Sequence, residues 1–108
     1  MNDQSGQAAS FELQEGERAK VLGPLDFTTV SALLLVGTKA ICAGQASIID
    51  LSGVTAGDSA GLALLIEWLS VARAGRRTLR YENLPSQLDQ LARLSEVEEL
   101  LAVPLVAP

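Results

Sequence analysis

The sequence predicts an α/β fold: a small mixed β-sheet of about four strands covered by helices. Segments with the period of a strand are interleaved with longer segments whose apolar residues recur at helical spacing, which is typical of a sheet packed against helices. The first two strands are separated by a tight glycine turn and should pair antiparallel, which argues against an all-parallel sheet. At 108 residues, the chain is expected to form one domain.

The first segments predict a β-hairpin. Residues 1–9 are small and polar, and we expect them to be disordered. Apolar and polar residues alternate over residues 10–14 and again over residues 18–22, with a turn at Gly16 between the two runs. Pro24 cannot donate a hydrogen bond to a neighbouring strand, so the second strand should end there or lie at an edge of the sheet.

A helix and a third strand are expected next. The helix should cover residues 27–40, with Asp26 or Thr28 as its N-terminal cap. Residues 45–50 should form this strand, because the β-branched pair Ile48-Ile49 suits a buried position, whereas residues 51–57 have the composition of a loop.

A longer helix forms the centre of the chain. Asp58 and Ser59 directly precede an apolar run, and both are residue types that cap helices through a side-chain oxygen. The run should be helical for about four turns, up to Gly75, where a glycine can adopt the left-handed conformation that ends many helices. One buried stripe consists of residues at helical spacing: Leu62, Leu65, Ile66 and Leu69.

A second apolar stripe on this helix consists of Ala60, Leu64, Trp68 and Val71. A helix that is apolar nearly all round is buried on more than one side. Two interpretations stay open for this stripe: Leu64 and Trp68 pack against the last helix of this chain, or they contact another protein.

The last segments predict a strand and two short helices. Residues 78–82 alternate as a strand does, and Pro85 should stand at the first position of a helix. Residues 95–98 have the pattern of a capping box for a short last helix. The single domain should therefore span residues 10–103, followed by a flexible tail over residues 104–108. The apolar face of the first of these helices is expected to contain Leu88, Leu91, Ala92 and Leu94.

Composition argues against several classes of function. The formal net charge of −5 disfavours binding to a nucleic-acid backbone. Histidine, the usual general base and a common metal ligand, does not occur, and Cys42 is the single cysteine. Neither a disulfide framework nor a zinc cluster is expected, and Cys42 should be a small buried residue. We predict no catalytic residue, no metal ion and no cofactor.

Four arginines form a local basic cluster after the central helix: Arg73, Arg76, Arg77 and Arg80. We interpret the cluster as positive charge that complements the C-terminal end of the helix dipole, followed by an exposed strand edge.

Two motifs resemble those of the STAS domains, the anti-sigma-factor-antagonist-like domains that also occur on sulfate transporters. The first is Asp50-Leu51-Ser52-Gly53-Val54 followed by Asp58-Ser59-Ala60-Gly61-Leu62, and the second is the turn Gly23-Pro24-Leu25-Asp26. The order of strands and helices resembles the same family over residues 10–95. Within the family, residues 61–65 and 67–69 are similar to the single-domain STAS subunit of the Mla phospholipid-transport ABC complex.

The resemblance implies a STAS-type fold and a non-enzymatic role in maintaining the lipid asymmetry of the outer membrane of a Gram-negative bacterium. The partner that it implies is the ATPase subunit of the ABC transporter and, through it, the permease. The chain carries no recognisable signal peptide or membrane span, so we expect a cytoplasmic protein held at the inner membrane by its partner. The alternative is an anti-sigma-factor antagonist that binds an anti-sigma factor kinase and is regulated by phosphorylation of Ser59.

The expected contact surface is the start of the central helix. Ser59 is open to three interpretations: a helix cap, a phosphorylation site as in the anti-sigma antagonists, or part of a constitutive contact surface as in the transport subunits. We favour the constitutive surface over the phosphorylation switch. Catalysis by Ser59 is disfavoured because the chain has no histidine to take its proton. The predicted partner-binding residues are Gly57, Asp58, Ser59, Ala60, Leu64 and Trp68, with Leu34 as an extension for which a core position is equally open.

Overall fold

A computed structural model of the chain describes residues 8–102. Four strands and four helices follow one another over this range, in the order that the sequence predicts, and the α/β class is confirmed. The elements are β1 (Ser10–Gln14), β2 (Arg18–Leu25), α1 (Val30–Cys42), β3 (Ile48–Gly57), α2 (Ser59–Ala74), β4 (Arg80–Glu82), α3 (Ser86–Leu94) and α4 (Glu98–Ala102).

The predicted disordered N-terminus and flexible tail lie outside the described residues, except for Ala8 and Ala9. These two residues lie against Gly23 of β2, where an added Cβ would come within 2.5 Å of the Ala8 carbonyl oxygen. Between residues 8 and 102, no helix is long and apolar enough to cross a membrane.

The strands form a mixed sheet in the order β1-β2-β3-β4. β1 pairs antiparallel with β2, whereas the β2–β3 and β3–β4 pairs are parallel. Side chains alternate between the two faces of the sheet, so that Val21 and Ile49 are fully buried while the neighbouring Lys20 and Asp50 are only partly buried. A hydrophobic cluster therefore fills the space between one face of the sheet and the helices.

β2 is longer than the sequence predicts and continues through Pro24 to Leu25. The proline is tolerated because pairing with β1 ends at Leu22, so no β1 residue needs the missing N–H. On its other side, Pro24 pairs with Ala56 across a register shift. β2 is an inner strand of the sheet, but at Pro24 its side facing away from β3 is no longer paired with β1, and the strand ends one residue later.

β3 is also longer, and it continues through residues 51–57, for which the sequence predicts a loop. That prediction is wrong because these residues stay paired with β2 up to the pair of Leu25 and Gly57. The small residues suggest a loop, but here they allow a close approach of the backbones. A Cβ on Gly53 would lie 3.0 Å from the Val21 carbonyl oxygen.

The starts of α1 and α3 differ from the predictions. α1 begins at Val30, after a turn in which the Asp26 carboxylate accepts hydrogen bonds from the amide and the hydroxyl of Thr28. Asp26 therefore stabilises the turn before the helix rather than the helix itself. Pro85 is the N-cap of α3 and not its first helical residue.

The ends of α2 and α3 also differ. Gly75 is the C-cap of α2 with a φ of −89°, and the following Arg76 takes the left-handed conformation with a φ of 56°. The predicted left-handed glycine is therefore wrong by one position. Ser95 is the C-cap of α3, with its N–H donating to the Leu91 carbonyl oxygen, instead of opening a capping box for α4.

Three residues that the sequence predicts as buried are exposed. They are Leu13, Leu94 and Cys42, and the exposed fractions of the two leucines are 51% and 81%. Cys42 and Leu94 are the last residues of their helices, and Leu13 lies near the end of the outer strand. Each one extends beyond the packed layer, which periodicity alone does not indicate.

α1 and α2 pack against each other at Gly37 and Trp68. The Trp68 side chain is fully buried, and a Cβ on Gly37 would lie 2.3 Å from its Cζ2 atom. Phe11 of β1 contacts the same indole edge to face, with 5.6 Å between ring centroids. The indole N–H has no hydrogen-bond partner among the residues that the structure describes, so Trp68 stabilises the fold through packing.

Replacement of Gly37 by alanine should lower the free energy of unfolding by about 1–3 kcal/mol, because the methyl group would overlap the buried indole. Urea denaturation measures this change. Gly75→Ala is a matched control, since its nearest neighbouring atom would be 3.6 Å from an added Cβ, and its free energy of unfolding should change by less than about 1 kcal/mol. A Gly37→Ala protein as stable as the wild type would contradict this packing.

Candidate partner-binding site

The predicted contact surface lies at the edge of the sheet where β2 and β3 end. The two strands are parallel and finish side by side, with Leu25 paired to Gly57. The Asp58 N–H donates to the Leu25 carbonyl oxygen at 3.2 Å. Because each strand is followed by a helix, the N-termini of α1 and α2 meet at this edge.

Asp58 caps α2. Its carboxylate accepts hydrogen bonds from the N–H groups of Ala60 at 2.9 Å and Gly61 at 3.2 Å. Two of the amides that the first turn leaves unpaired are thereby satisfied. Of the two cap candidates in the sequence, Asp58 is the cap, and Ser59 is the exposed first residue of the helix.

Backbone contacts hold the start of α2 in place. A Cβ on Gly61 would lie 2.4 Å from the Leu25 carbonyl oxygen, so only glycine fits there. The Gly57 N–H donates to the Gln87 side-chain oxygen at 3.2 Å, and a Cβ on Gly57 would come within 2.7 Å of Leu88. The beginning of α3 therefore covers one side of this edge, and Gly57 is needed for packing within the chain.

An apolar groove of about 380 Å³ lies between α1 and α2, beginning next to Ser59. Three of the predicted partner-binding residues, Ala60, Leu64 and Leu34, come together in its wall. Leu64 is 4% exposed, whereas Leu34 and Ala60 are half-buried. The full lining consists of Val30, Ser31, Leu34, Ala60, Ala63, Leu64 and Glu67.

Trp68 does not reach this surface. Its side chain is 0% exposed and packs against Gly37 and Phe11, so in this conformation it cannot contact a partner. The prediction that placed Trp68 in the contact surface is therefore corrected. Trp68 does stand at helical spacing from Ala60 and Leu64, but α1 packs more closely against α2 at Trp68 than at Ala60.

Sequence reasoning missed four residues of the groove: Val30, Ser31, Ala63 and Glu67. Ala63 and Glu67 stand at helical spacing from Ala60, so the pattern of α2 could have indicated them. Val30 stands four residues before Leu34, so the spacing along α1 could have indicated it in the same way, whereas Ser31 is polar and does not belong to an apolar stripe.

Negative charge surrounds this edge. Asp26 stands before α1, and hydrogen bonds from the Thr28 side chain and amide to its carboxylate hold its pKa below the usual range. Asp58 stands in the corresponding place before α2, and Glu67 lies in the groove wall. The Asp58 carboxylate at the N-terminus of α2 interacts favourably with the helix dipole. A protein that docks here would meet an apolar groove with an acidic rim.

Comparisons with known proteins identify the family and the fold. A family model described as "Mlab, STAS domain" matches residues 13–105. The solved structure of the anti-sigma factor antagonist SpoIIAA in its unphosphorylated form is similar, with a TM-score of 0.62 and 15% sequence identity over 89% of this chain and 100% of that chain. The Bacillus cell fate determinant SpoIIAA in the phosphorylated form gives a TM-score of 0.59 and 19% identity over 83% of this chain and 86% of that chain.

At these identities the two structures show the fold, and the predicted STAS-type arrangement of strands and helices is confirmed. A search of curated protein sequences gives no significant match.

Asp58→Ala should lower the free energy of unfolding by about 1 kcal/mol, because two N–H groups at the start of α2 would lose their acceptor. Thermal and urea denaturation measure the loss. Ser59→Ala is the matched control and should change stability by less than about 0.5 kcal/mol, since the exposed serine is not the cap. A larger loss for Ser59→Ala than for Asp58→Ala would contradict this assignment.

Proposed function

This chain belongs to the STAS domain family, and we propose that it is a non-enzymatic accessory subunit of a phospholipid ABC transporter. In this proposal, it binds the cytoplasmic ATPase subunit and, through it, the permease at the inner membrane of a Gram-negative bacterium. The contact surface consists of exposed Ser59 and the groove between α1 and α2. The transporter acts in maintaining the lipid asymmetry of the outer membrane.

The observation that carries the proposal is the apolar groove beside the start of α2. Ala60 and Ala63 are small, so a side chain or a helix of another protein can approach closely there. Leu34 and Leu64 supply apolar surface whose burial favours association. The description of the matching family model as Mlab supports the transporter as the setting.

The charge of the surface indicates the character of the partner. Glu67 forms no ion pair within residues 8–102, and Asp26 and Asp58 place two further carboxylates at the same edge. Charged rims of this kind orient a partner and raise its association rate. We therefore expect the ATPase subunit to present an apolar side chain flanked by lysine or arginine.

Binding would act on the ATPase through its conformational equilibrium. A partner that binds the folded, competent form better than other forms stabilises that form by mass action. The proposed role therefore needs no reaction at Ser59, which supplies only part of the contact.

Affinity capture from the native host tests this proposal. A tagged wild-type chain should recover an ABC ATPase and its permease, whereas Ala63→Arg should recover at least about tenfold less, because the arginine would fill the groove and desolvate a charge. Ala74→Arg, on the exposed last residue of the same helix, is the control and should behave as the wild type. Equal recovery with Ala63→Arg, or no ATPase with the wild type, would refute the proposal.

An anti-sigma-factor antagonist that is switched at Ser59 is a second candidate. The solved SpoIIAA structures are described as an anti-sigma factor antagonist in unphosphorylated and phosphorylated forms, which motivates this alternative. Ser59 is exposed and Asp58 already caps the helix, so its hydroxyl is open to a kinase. A phosphate there would add about two negative charges beside Asp58 and oppose binding at a dry interface.

Ser59→Ala separates the two candidates. For a transporter subunit, it should weaken capture of the ATPase by at most about threefold, since only an exposed hydroxyl is lost. For the antagonist, it should abolish regulation and hold the protein permanently bound to an anti-sigma factor.

Mass spectrometry of the protein purified from its host provides a second measurement, the presence of phosphate on Ser59. Ser86, the exposed first residue of α3, is the internal control. Phosphate on Ser59 but not on Ser86 would favour the antagonist.

A further inference from the structure

A second pocket, of about 410 Å³, lies at the opposite end of α2 from Ser59. Three arginines line it, Arg76, Arg77 and Arg80, together with the hydroxyl-bearing residues Ser47 and Thr78. α2 contains 16 residues, so the pocket is separated from the start of the helix by roughly 24 Å. It is therefore distinct from the groove between α1 and α2.

Positive charge is concentrated around this pocket in a chain that is acidic overall. The chain has 8 lysines and arginines against 13 aspartates and glutamates, and four of the cations fall within residues 73–80. Like charges held close together repel one another. Because all four arginines are exposed, water and salt screen much of this repulsion, and the cluster produces a local positive potential that attracts anions.

Two of the arginines have partners within the chain. The Arg77 guanidinium donates to the Cys42 carbonyl oxygen at 3.0 Å, which satisfies an acceptor at the end of α1. Arg80 forms an ion pair with Glu82 at 3.3 Å. These contacts agree with the structural interpretation of the basic cluster, but they do not include Arg76, whose side chain makes no ion pair or hydrogen bond within residues 8–102.

The backbone conformation of Arg76 makes glycine a suitable replacement at this position. Its φ of 56° lies in the left-handed region, which costs a residue other than glycine roughly 1–2 kcal/mol. Gly75, directly before it, adopts a φ of −89° that any residue accepts. Arg76 takes this conformation as the residue that ends α2, as Glu96 does after α3 with a φ of 60°, so a glycine at position 76 would keep the helix end and relieve the strain.

The acidic groups nearby leave the pocket positive. Glu17 lines it, but the Glu17 carboxylate accepts a hydrogen bond from the Ser47 hydroxyl at 3.2 Å. Glu82 pairs with both Arg18 and Arg80 and is not part of the lining. The lining therefore contains three arginines and one carboxylate, and Glu82 offsets part of the charge of Arg80.

We propose that this pocket binds a phosphate monoester. Planar guanidinium groups match the oxygens of phosphate and can donate two hydrogen bonds to it, and the hydroxyl of Thr78 provides a further donor. The volume falls within the range of small-molecule sites, so the pocket accommodates the organic part of the ester as well. The phosphate belongs either to a free metabolite or to a lipid headgroup, which present the same chemistry.

An NMR titration with glycerol 3-phosphate tests the proposal. The backbone amides of Gly44, Ser47 and Thr78 should shift and saturate. Arg76→Gly removes the guanidinium and relieves the left-handed strain, so it should weaken binding at least about tenfold while leaving the protein equally or more stable. Arg93→Gln on α3 changes the net charge by the same amount and should keep the wild-type affinity within about twofold.

Vesicles decide the source of the phosphate. Cosedimentation with phosphatidylcholine vesicles that contain phosphatidic acid, absent with pure phosphatidylcholine and lost in Arg76→Gly, would assign the pocket to a lipid headgroup. Saturation by glycerol 3-phosphate without vesicle binding would assign it to a free ester. The proposal is overturned if neither probe binds, if Arg76→Gly binds as the wild type does, or if citrate saturates the same amides equally well. Ala63→Arg should bind glycerol 3-phosphate normally, so this result is independent of the proposed ATPase contact.

Discussion

The contact between Trp68 and Gly37 determines the shape of the helix layer. The indole occupies the space that a side chain on Gly37 would need, and it holds α1 and α2 close together at that point. Toward the helix N-termini, the residues of the same stripe of α2 become smaller, from Trp68 through Leu64 to Ala60. The space between the helices therefore opens in that direction, and it forms the apolar groove. The binding surface that we propose is a consequence of this gradient of side-chain size.

The start of α2 divides two tasks between adjacent residues. The Asp58 carboxylate completes the hydrogen bonding of the first turn, so the Ser59 hydroxyl remains exposed. Gly61 lets the turn lie directly on the Leu25 carbonyl oxygen, which fixes the helix relative to β2. A surface fixed by backbone contacts loses little conformational freedom when a partner binds, and this favours affinity. The same arrangement suits a constitutive contact and a phosphorylation switch. The two differ only in whether the Ser59 hydroxyl becomes phosphorylated.

The two ends of α2 carry opposite charge. Asp26 and Asp58 place two carboxylates at the edge where α2 starts, whereas arginines line the second pocket beyond its end. Both distributions compensate the helix dipole, which is positive at the N-terminus and negative at the C-terminus. Among residues 8–102, Glu67 in the wall of the groove and Arg76 in the lining of the pocket form no side-chain ion pair or hydrogen bond, and neither does Arg73 in the last turn of α2. We attribute Glu67 and Arg76 to binding because each of them lines one of the two proposed binding surfaces.

The sequence by itself determined the order of the elements, the cap at Asp58 and the stripe that contains Ala60 and Leu64. These features depend on local periodicity and on hydrogen bonds between residues close in the chain. Only the tertiary structure decided that residues 51–57 extend β3, because their strand pairing depends on the backbone of β2. It also decided which part of the stripe is accessible. Trp68 is buried because Gly37, thirty-one positions earlier, leaves room for its ring, and no pattern within α2 carries that information.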